Sequence, residues 1–134
     1  MKAVILAAGV SRRLYPVTYE IPKCLITVGH QTILDRQINA LKSVGITHII
    51  MVVGYYRESI MDHVKTQFPD MSFEFVINHH YFETNTGYSL WLCNASINNE
   101  PFLLMNADVL YPEEVLNRII NSDYDTILAV EIKP

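Results

Sequence analysis

The chain has 134 residues, half of them apolar, with 14 Asp and Glu against 10 Lys and Arg for a net charge of −4. That length suits one domain with enough apolar surface for a real core, and the acidic balance argues against a nucleic-acid partner. Apolar runs such as Ala3 to Ala8 and Ile49 to Val53 fall far short of the roughly 20 residues a membrane helix needs, so no membrane partner is expected.

The first element imitates a secretory leader, but Gly9, Arg12 and Arg13 interrupt the apolar run before an adequate core of such a signal can form. Ala3 to Ala7 therefore reads as a buried strand. After a long irregular stretch, Leu34, Ile38 and Leu41 make a helical stripe, with Thr32 and Asp35 as a cap pair and Gly45 as the stop. His48 to Val53 predicts a second strand, and Ile60, Val64 and Phe68 step by four as on a helix face. Ser72 to Ile77 predicts a third strand, followed by a helix through Leu90, Cys93 and Ile97. Pro101 to Met105 predicts a fourth strand, Pro112 with Glu113 and Glu114 opens another helix, and Thr126 to Val130 predicts a fifth strand. Cys24 and Cys93 match no metal or redox spacing, which points to two free thiols in a reducing cytoplasm.

Strands rich in Val, Ile, Leu and Phe, alternating with helices, predict a parallel sheet covered on both faces by right-handed crossovers. The expected fold class is α/β, a three-layer αβα sandwich with a mainly parallel, Rossmann-like sheet. A strand order of 3-2-1-4-5 would set the first and fourth strands side by side, with ligands bound outside their carboxyl ends. The loops after Ala8 and after Met105 should then flank one crevice.

The first of those loops carries concentrated chemistry. Ala7, Ala8 and Gly9 let a flat ligand approach the backbone, and the following N–H groups can meet an anion. Arg12, Arg13 and Lys23 add forked and point-charge donors suited to a polyphosphate, while Pro16 and Pro22 restrict the chain around them. A Walker A loop would need Gly-Lys-Ser/Thr and a dinucleotide fingerprint three glycines; neither is present. A solvated arginine pair is the bland alternative, but the connection from Gly9 to about Gln31 far exceeds the usual two to six residues, and long loops in compact domains tend to be functional.

The stretch "LAAGVSRRLYPVTYEIPKCLITVGHQTIL" resembles the signature of the nucleotidyltransferases that couple a nucleoside triphosphate to a sugar phosphate or phosphocholine. Their pattern runs Leu-Ala-Ala-Gly-x-Gly-x-Arg-Leu-x-Pro-x-Thr and then Pro-Lys-x-Leu. Leu6 to Gly9, Arg13, Leu14, Pro16, Thr18, Pro22, Lys23 and Leu25 fit it. Ser11 stands where glycine is common, and Arg12 where serine or threonine is common.

The resemblance implies that Leu6, Ala7, Ala8, Gly9, Ser11 and Arg12 bind nucleotide, that Arg13 and Lys23 hold phosphates, and that Asp108 in "PFLLMNADVLY" binds Mg²⁺. A turn or capping aspartate is the plainer reading of Asp108. "NHHYFETNTGYSLWL" is similar to the phosphocholine cytidylyltransferase branch, which makes Asn85 and Ser89 candidates for base contact. A helix cap is the equal alternative for Asn85. His79 and His80 lack a third ligand nearby in sequence and read as strand-end residues rather than a zinc site.

The implied reaction is attack of an acceptor phosphate, such as phosphocholine, on the α-phosphorus of a nucleoside triphosphate, CTP being favoured. A sugar 1-phosphate acceptor, or a module that binds nucleotide and catalyses nothing, are the alternatives. The resemblance also implies that residues 1–134 form the nucleotide-binding half of a longer domain. The exposed sheet edge of such a half is expected to promote self-association.

Overall fold

In the computed structural model, which describes residues 1–132, the elements in chain order are strand β1 (Lys2–Ala7), the short strands β2 (Thr27–Val28) and β3 (Gln31–Thr32), helix α1 (Ile33–Ser43), β4 (His48–Val53), α2 (Arg57–Gln67), β5 (Ser72–Ile77), α3 (Thr86–Leu92), α4 (Asn94–Ile97), β6 (Phe102–Asn106) and α5 (Glu113–Ile120). β5, β4, β1 and β6 lie in that order and pair in parallel, with Ile5 opposite Met51 on one side and Met105 on the other. β2 and β3 form a separate antiparallel hairpin. The main strands thus run 3-2-1-4, a mainly parallel central sheet flanked by helices, as the alternating pattern predicts.

The two faces of β1 bury different partners because successive strand residues point to opposite sides. Ala3, Ile5 and Ala7 pack with Leu34, Ile38 and Leu41 of α1, Ile60 and Val64 of α2 and Leu116 of α5. Val4 and Ala8 pack with Cys93, Leu90 and Ile97 on the other face. α1 is delimited by its own sequence. Thr32 Oγ1 accepts from the Asp35 N–H at 3.0 Å and Asp35 Oδ2 from the Thr32 N–H at 3.2 Å, a capping box. At its other end Gly45, at φ +83°, lets the Gly45 and Ile46 N–H groups turn back onto the carbonyls of Lys42 and Leu41.

Two expectations need correcting. The stripe through Leu90, Cys93 and Ile97 belongs to two short helices rather than one, because the Cys93 N–H tightens onto Leu90 O instead of continuing the ladder. Thr126 to Val130 is not a strand: Leu128 is 83% exposed and Val130 70%. The reason is topological. α5 packs through Leu116 on the same face as α1, and a right-handed crossover on that face leads from β6 back toward β1, whose two edges β4 and β6 already occupy. No helix among the described residues is long and apolar enough to cross a membrane.

Candidate functional site

The carboxyl ends of β1, β5 and β6 open onto a cavity of about 440 Å³, at the end of a parallel sheet where ligands bind, although α1 and α5 cover the same face instead of leaving in opposite directions. Leu6, Ala7, Ala8, Gly9 and Ser11 line one wall, Pro22, Lys23 and Cys24 a second, and Asn106, Ala107 and Asp108 the floor beside β6. Asn78, Tyr81, Thr84, Asn85, Thr86 and Ser89 close the remaining side. A Cβ added at Gly9 would meet no protein atom within 4 Å. The space beside that glycine is open, so a ligand can lie against its backbone.

The segment from Gly9 to Gln31 is not structureless. Arg12–Leu14, Val17–Tyr19 and Lys23–Leu25 are single 3₁₀ turns. Ser11 has φ 57°, a left-handed conformation that glycine adopts without the strain a Cβ brings. Buried Thr18 donates through Oγ1 to Ser11 O at 2.9 Å. From the turn after β4, the Tyr55 hydroxyl donates to Thr18 O and the Tyr56 hydroxyl to Tyr19 O. Tyr15 and Tyr19 stack with ring centroids 4.2 Å apart. The loop is therefore anchored by aromatic side chains and main-chain carbonyls.

Of the three cations in this loop, Lys23 lines the cavity; Arg12 and Arg13 do not. The Arg12 guanidinium lies over the Phe82 ring, 5.5 Å from its centroid, a cation–π contact that ties the loop to the connection after β5. Arg13 is exposed. Lys23 Nζ donates to Asp108 Oδ2 at 2.9 Å, across 85 residues of sequence. That contact joins the loop after β1 to the loop after β6. Negative charge from Asp108 reaches its neighbours: burial, then Asp108, pushes the Tyr111 phenol up, and burial opposed by a backbone hydrogen bond, with a smaller push from Asp108, raises the Cys24 thiol to about 12.

Cys93 is likewise raised to about 11, by burial first and Glu74 second. A raised thiol pKa favours the neutral form in the folded chain. For Cys24 that contribution is whole below its ordinary value of 9.0 and fades as pH climbs toward about 12. Both thiols should therefore resist iodoacetamide at neutral pH in the folded chain and react promptly in denaturant, as mass spectrometry would register. Rapid labelling without denaturant would contradict their burial.

On the far side, the buried Asn78 amide organises the wall. Its Nδ2 donates to Thr84 Oγ1 at 2.9 Å and Ser89 Oγ at 3.1 Å, and its Oδ1 accepts from the His80 N–H at 2.9 Å. Asn85 caps α3, its Oδ1 accepting from the Tyr88 N–H at 3.1 Å, while still lining the cavity. His80 is exposed, with Nδ1 3.9 Å from Glu83 Oε2. Among the described residues no group of three or more His, Cys, Asp or Glu could hold a metal ion. Asp108 offers one carboxylate to the cavity. That donor set suits Mg²⁺ arriving with phosphates, since Mg²⁺ commonly takes one or two carboxylates and completes its shell with water and substrate oxygens.

Sequence reasoning missed Asn78, Tyr81, Thr84, Thr86 and Asn106. Asn78 carried a signal: a polar residue ending an apolar run, at the strand terminus where parallel sheets bind ligands. Thr84 and Tyr81 carried none, because only the fold of the connection brings them to the cavity.

A family model described as nucleotidyl transferase matches residues 2–133. The choline-phosphate cytidylyltransferase of Streptococcus pneumoniae is 34% identical over 127 residues, covering 95% of this chain and 53% of that protein. The mannose-1-phosphate guanyltransferase beta-B of Xenopus laevis is 33% identical over 112 residues, covering 82% of this chain and 31% of that protein. A solved structure of the CTP:phosphocholine cytidylyltransferase from Streptococcus pneumoniae superimposes with a TM-score of 0.70 at 37% identity, over 80% of this chain and 44% of that one. The chain spans about half the length of the first of these relatives.

Proposed function

We propose, from the premise that the chain belongs to the nucleotidyl transferase family, that residues 1–134 are the nucleotide-binding half of an enzyme that transfers a nucleoside monophosphate from CTP to a phosphate monoester such as phosphocholine. A phosphate oxygen of the acceptor attacks the α-phosphorus in line, the bond to the β-phosphate bridging oxygen breaks, and pyrophosphate leaves. The observation that carries the reading is the 2.9 Å contact of Lys23 with Asp108 over a cavity walled by Ala7, Ala8 and Gly9.

Two anions must meet, so the work is positioning and charge neutralisation. The backbone from Leu6 to Gly9 receives the nucleoside, Lys23 donates to the phosphates, and Arg13, exposed on the same loop, is the further cation assigned to the departing pyrophosphate. Ser89, held by Asn78, presents its hydroxyl to the base, and Asn85 keeps its capping role beside it. Mg²⁺ held by Asp108 would supply charge neutralisation on the phosphate oxygens. CTP and phosphocholine are favoured because the compared cytidylyltransferase of Streptococcus pneumoniae, matched both in sequence and as a solved structure, carries those substrates in its name.

The test is pyrophosphate release with each nucleoside triphosphate and a panel of phosphate acceptors, with and without Mg²⁺. The fastest release is expected from CTP with phosphocholine and Mg²⁺. A best pair of GTP and a sugar 1-phosphate would move the chain to the branch of its guanyltransferase relative. Mg²⁺-dependent nucleotide binding without release from any acceptor would mark a nucleotide-binding module. No binding of any nucleotide would end the proposal.

A further inference from the structure

We propose that Gln37 is a positioning residue for Asp108: from α1, its side-chain amide grips the loop after β6 and fixes where the carboxylate meets Lys23. The proposal rests on the reading of Asp108 just given. Gln37 is 2% exposed, on the face of α1 that carries Leu34, Ile38 and Leu41. Its Nε2 donates to Asn106 O at 2.8 Å and to Val109 O. The two donors of one amide thus bracket Ala107 and Asp108.

The other end of the same amide explains why this is not ordinary packing. Oε1 is buried and has no hydrogen-bond partner among the described residues. A bare buried acceptor is destabilising, a penalty that leucine or methionine at this position would avoid. The donors are what an apolar residue could not replace, and both act on the Asp108 loop. α1 also backs the other half of the pair. The turn Lys23–Leu25 packs against it, and the Ile33 N–H donates to Ile26 O at 3.1 Å. One rigid helix therefore sets the spacing of Lys23 and Asp108, which two independent loops would leave variable.

Gln37→Met keeps the length of the side chain and removes both donors. On the full chain, amide hydrogen exchange and CTP affinity with and without Mn²⁺ are compared between this variant and the unmutated protein. Exchange at residues 107 to 110 is expected to quicken about tenfold while β1 and β4 stay protected. The gain in CTP affinity on adding Mn²⁺ is expected to fall about tenfold, as when an outer-shell partner of a metal ligand is lost. Affinity without metal should hold. Equal loss with and without Mn²⁺, or no change in either exchange or the Mn²⁺ gain, overturns the positioning role. Asp108→Asn separates the two ideas. If it leaves the Mn²⁺ gain intact, or if the unmutated chain shows no such gain, the reading of Asp108 fails, and the exchange measurement still decides whether Gln37 grips the loop. If Gln37→Met does not fold, NMR on the unmutated chain decides instead. Gln37 side-chain amide protons that are protected and shift on adding CTP with Mg²⁺ support the proposal; freely exchanging, unresponsive ones overturn it.

Discussion

Replacing Asp108 by alanine is expected to cut pyrophosphate release by about a hundredfold or more, the loss typical of removing one preorganised charge-stabilising group. Nucleotide binding should lose its response to Mg²⁺ as well. The stability of the fold should hardly move. The Lys23 and Asp108 side chains are 32% and 45% exposed, and ion pairs this open contribute only about 0–1 kcal/mol once solvent screening and side-chain entropy are counted. Lys23→Ala is expected to reduce release to a similar degree but to leave Asp108 free to bind Mn²⁺, so the two variants should differ in metal affinity. Calorimetry of Mn²⁺ binding beside a pyrophosphate assay separates them. Near-normal release by either would remove that residue from the mechanism.

Gly54→Ala is the second large effect, reached through packing. Gly54 follows β4, where the backbone passes close to the connection after β5. A Cβ there would lie 2.8 Å from Tyr81 Cβ, 2.9 Å from Tyr81 Cδ1 and 3.0 Å from Asn78 O. None of these atoms is the free end of a flexible side chain, so the connection itself must shift. Overpacking of this kind costs about 1–3 kcal/mol, a drop of several degrees in the thermal midpoint for a domain of this size. The displaced residues are those that wall the cavity, and Asn78 also holds Thr84 and Ser89 in place. CTP affinity should therefore fall together with the midpoint. An unaltered melt with unaltered affinity would mean that the approach of these segments is looser than the structure has it.

What the sequence made legible is what local chemistry writes. α1 could be read to within a residue or two because Thr32, Asp35 and Gly45 each satisfy a specific backbone need at its ends. The inner strands β1 and β4 were legible because burial on both faces leaves a run of Val, Ile and Leu, whereas the outer strands β5 and β6 are apolar runs that keep one face partly exposed. The crevice followed from topology, since adjacency of the first and fourth strands brings their loops together. Thr126 to Val130 misled because apolar spacing states only that a segment suits burial; whether a strand edge is within reach depends on which face the preceding helix covers. Gln37 was passed over as one polar residue in an apolar stripe, although its place between Leu34 and Leu41 put it on the buried side. Arg12 could not be followed to Phe82, since their meeting depends on how two long connections fold against each other.

The tyrosine hydroxyls that hold the cationic loop reach for carbonyl oxygens of residues 18 and 19 and not for their side chains. A carbonyl is the same whichever amino acid bears it. Val17 and Glu20, both at the surface, can therefore drift over evolutionary time without loosening the bend, and the outward character of this region can diversify while its inner contour stays put.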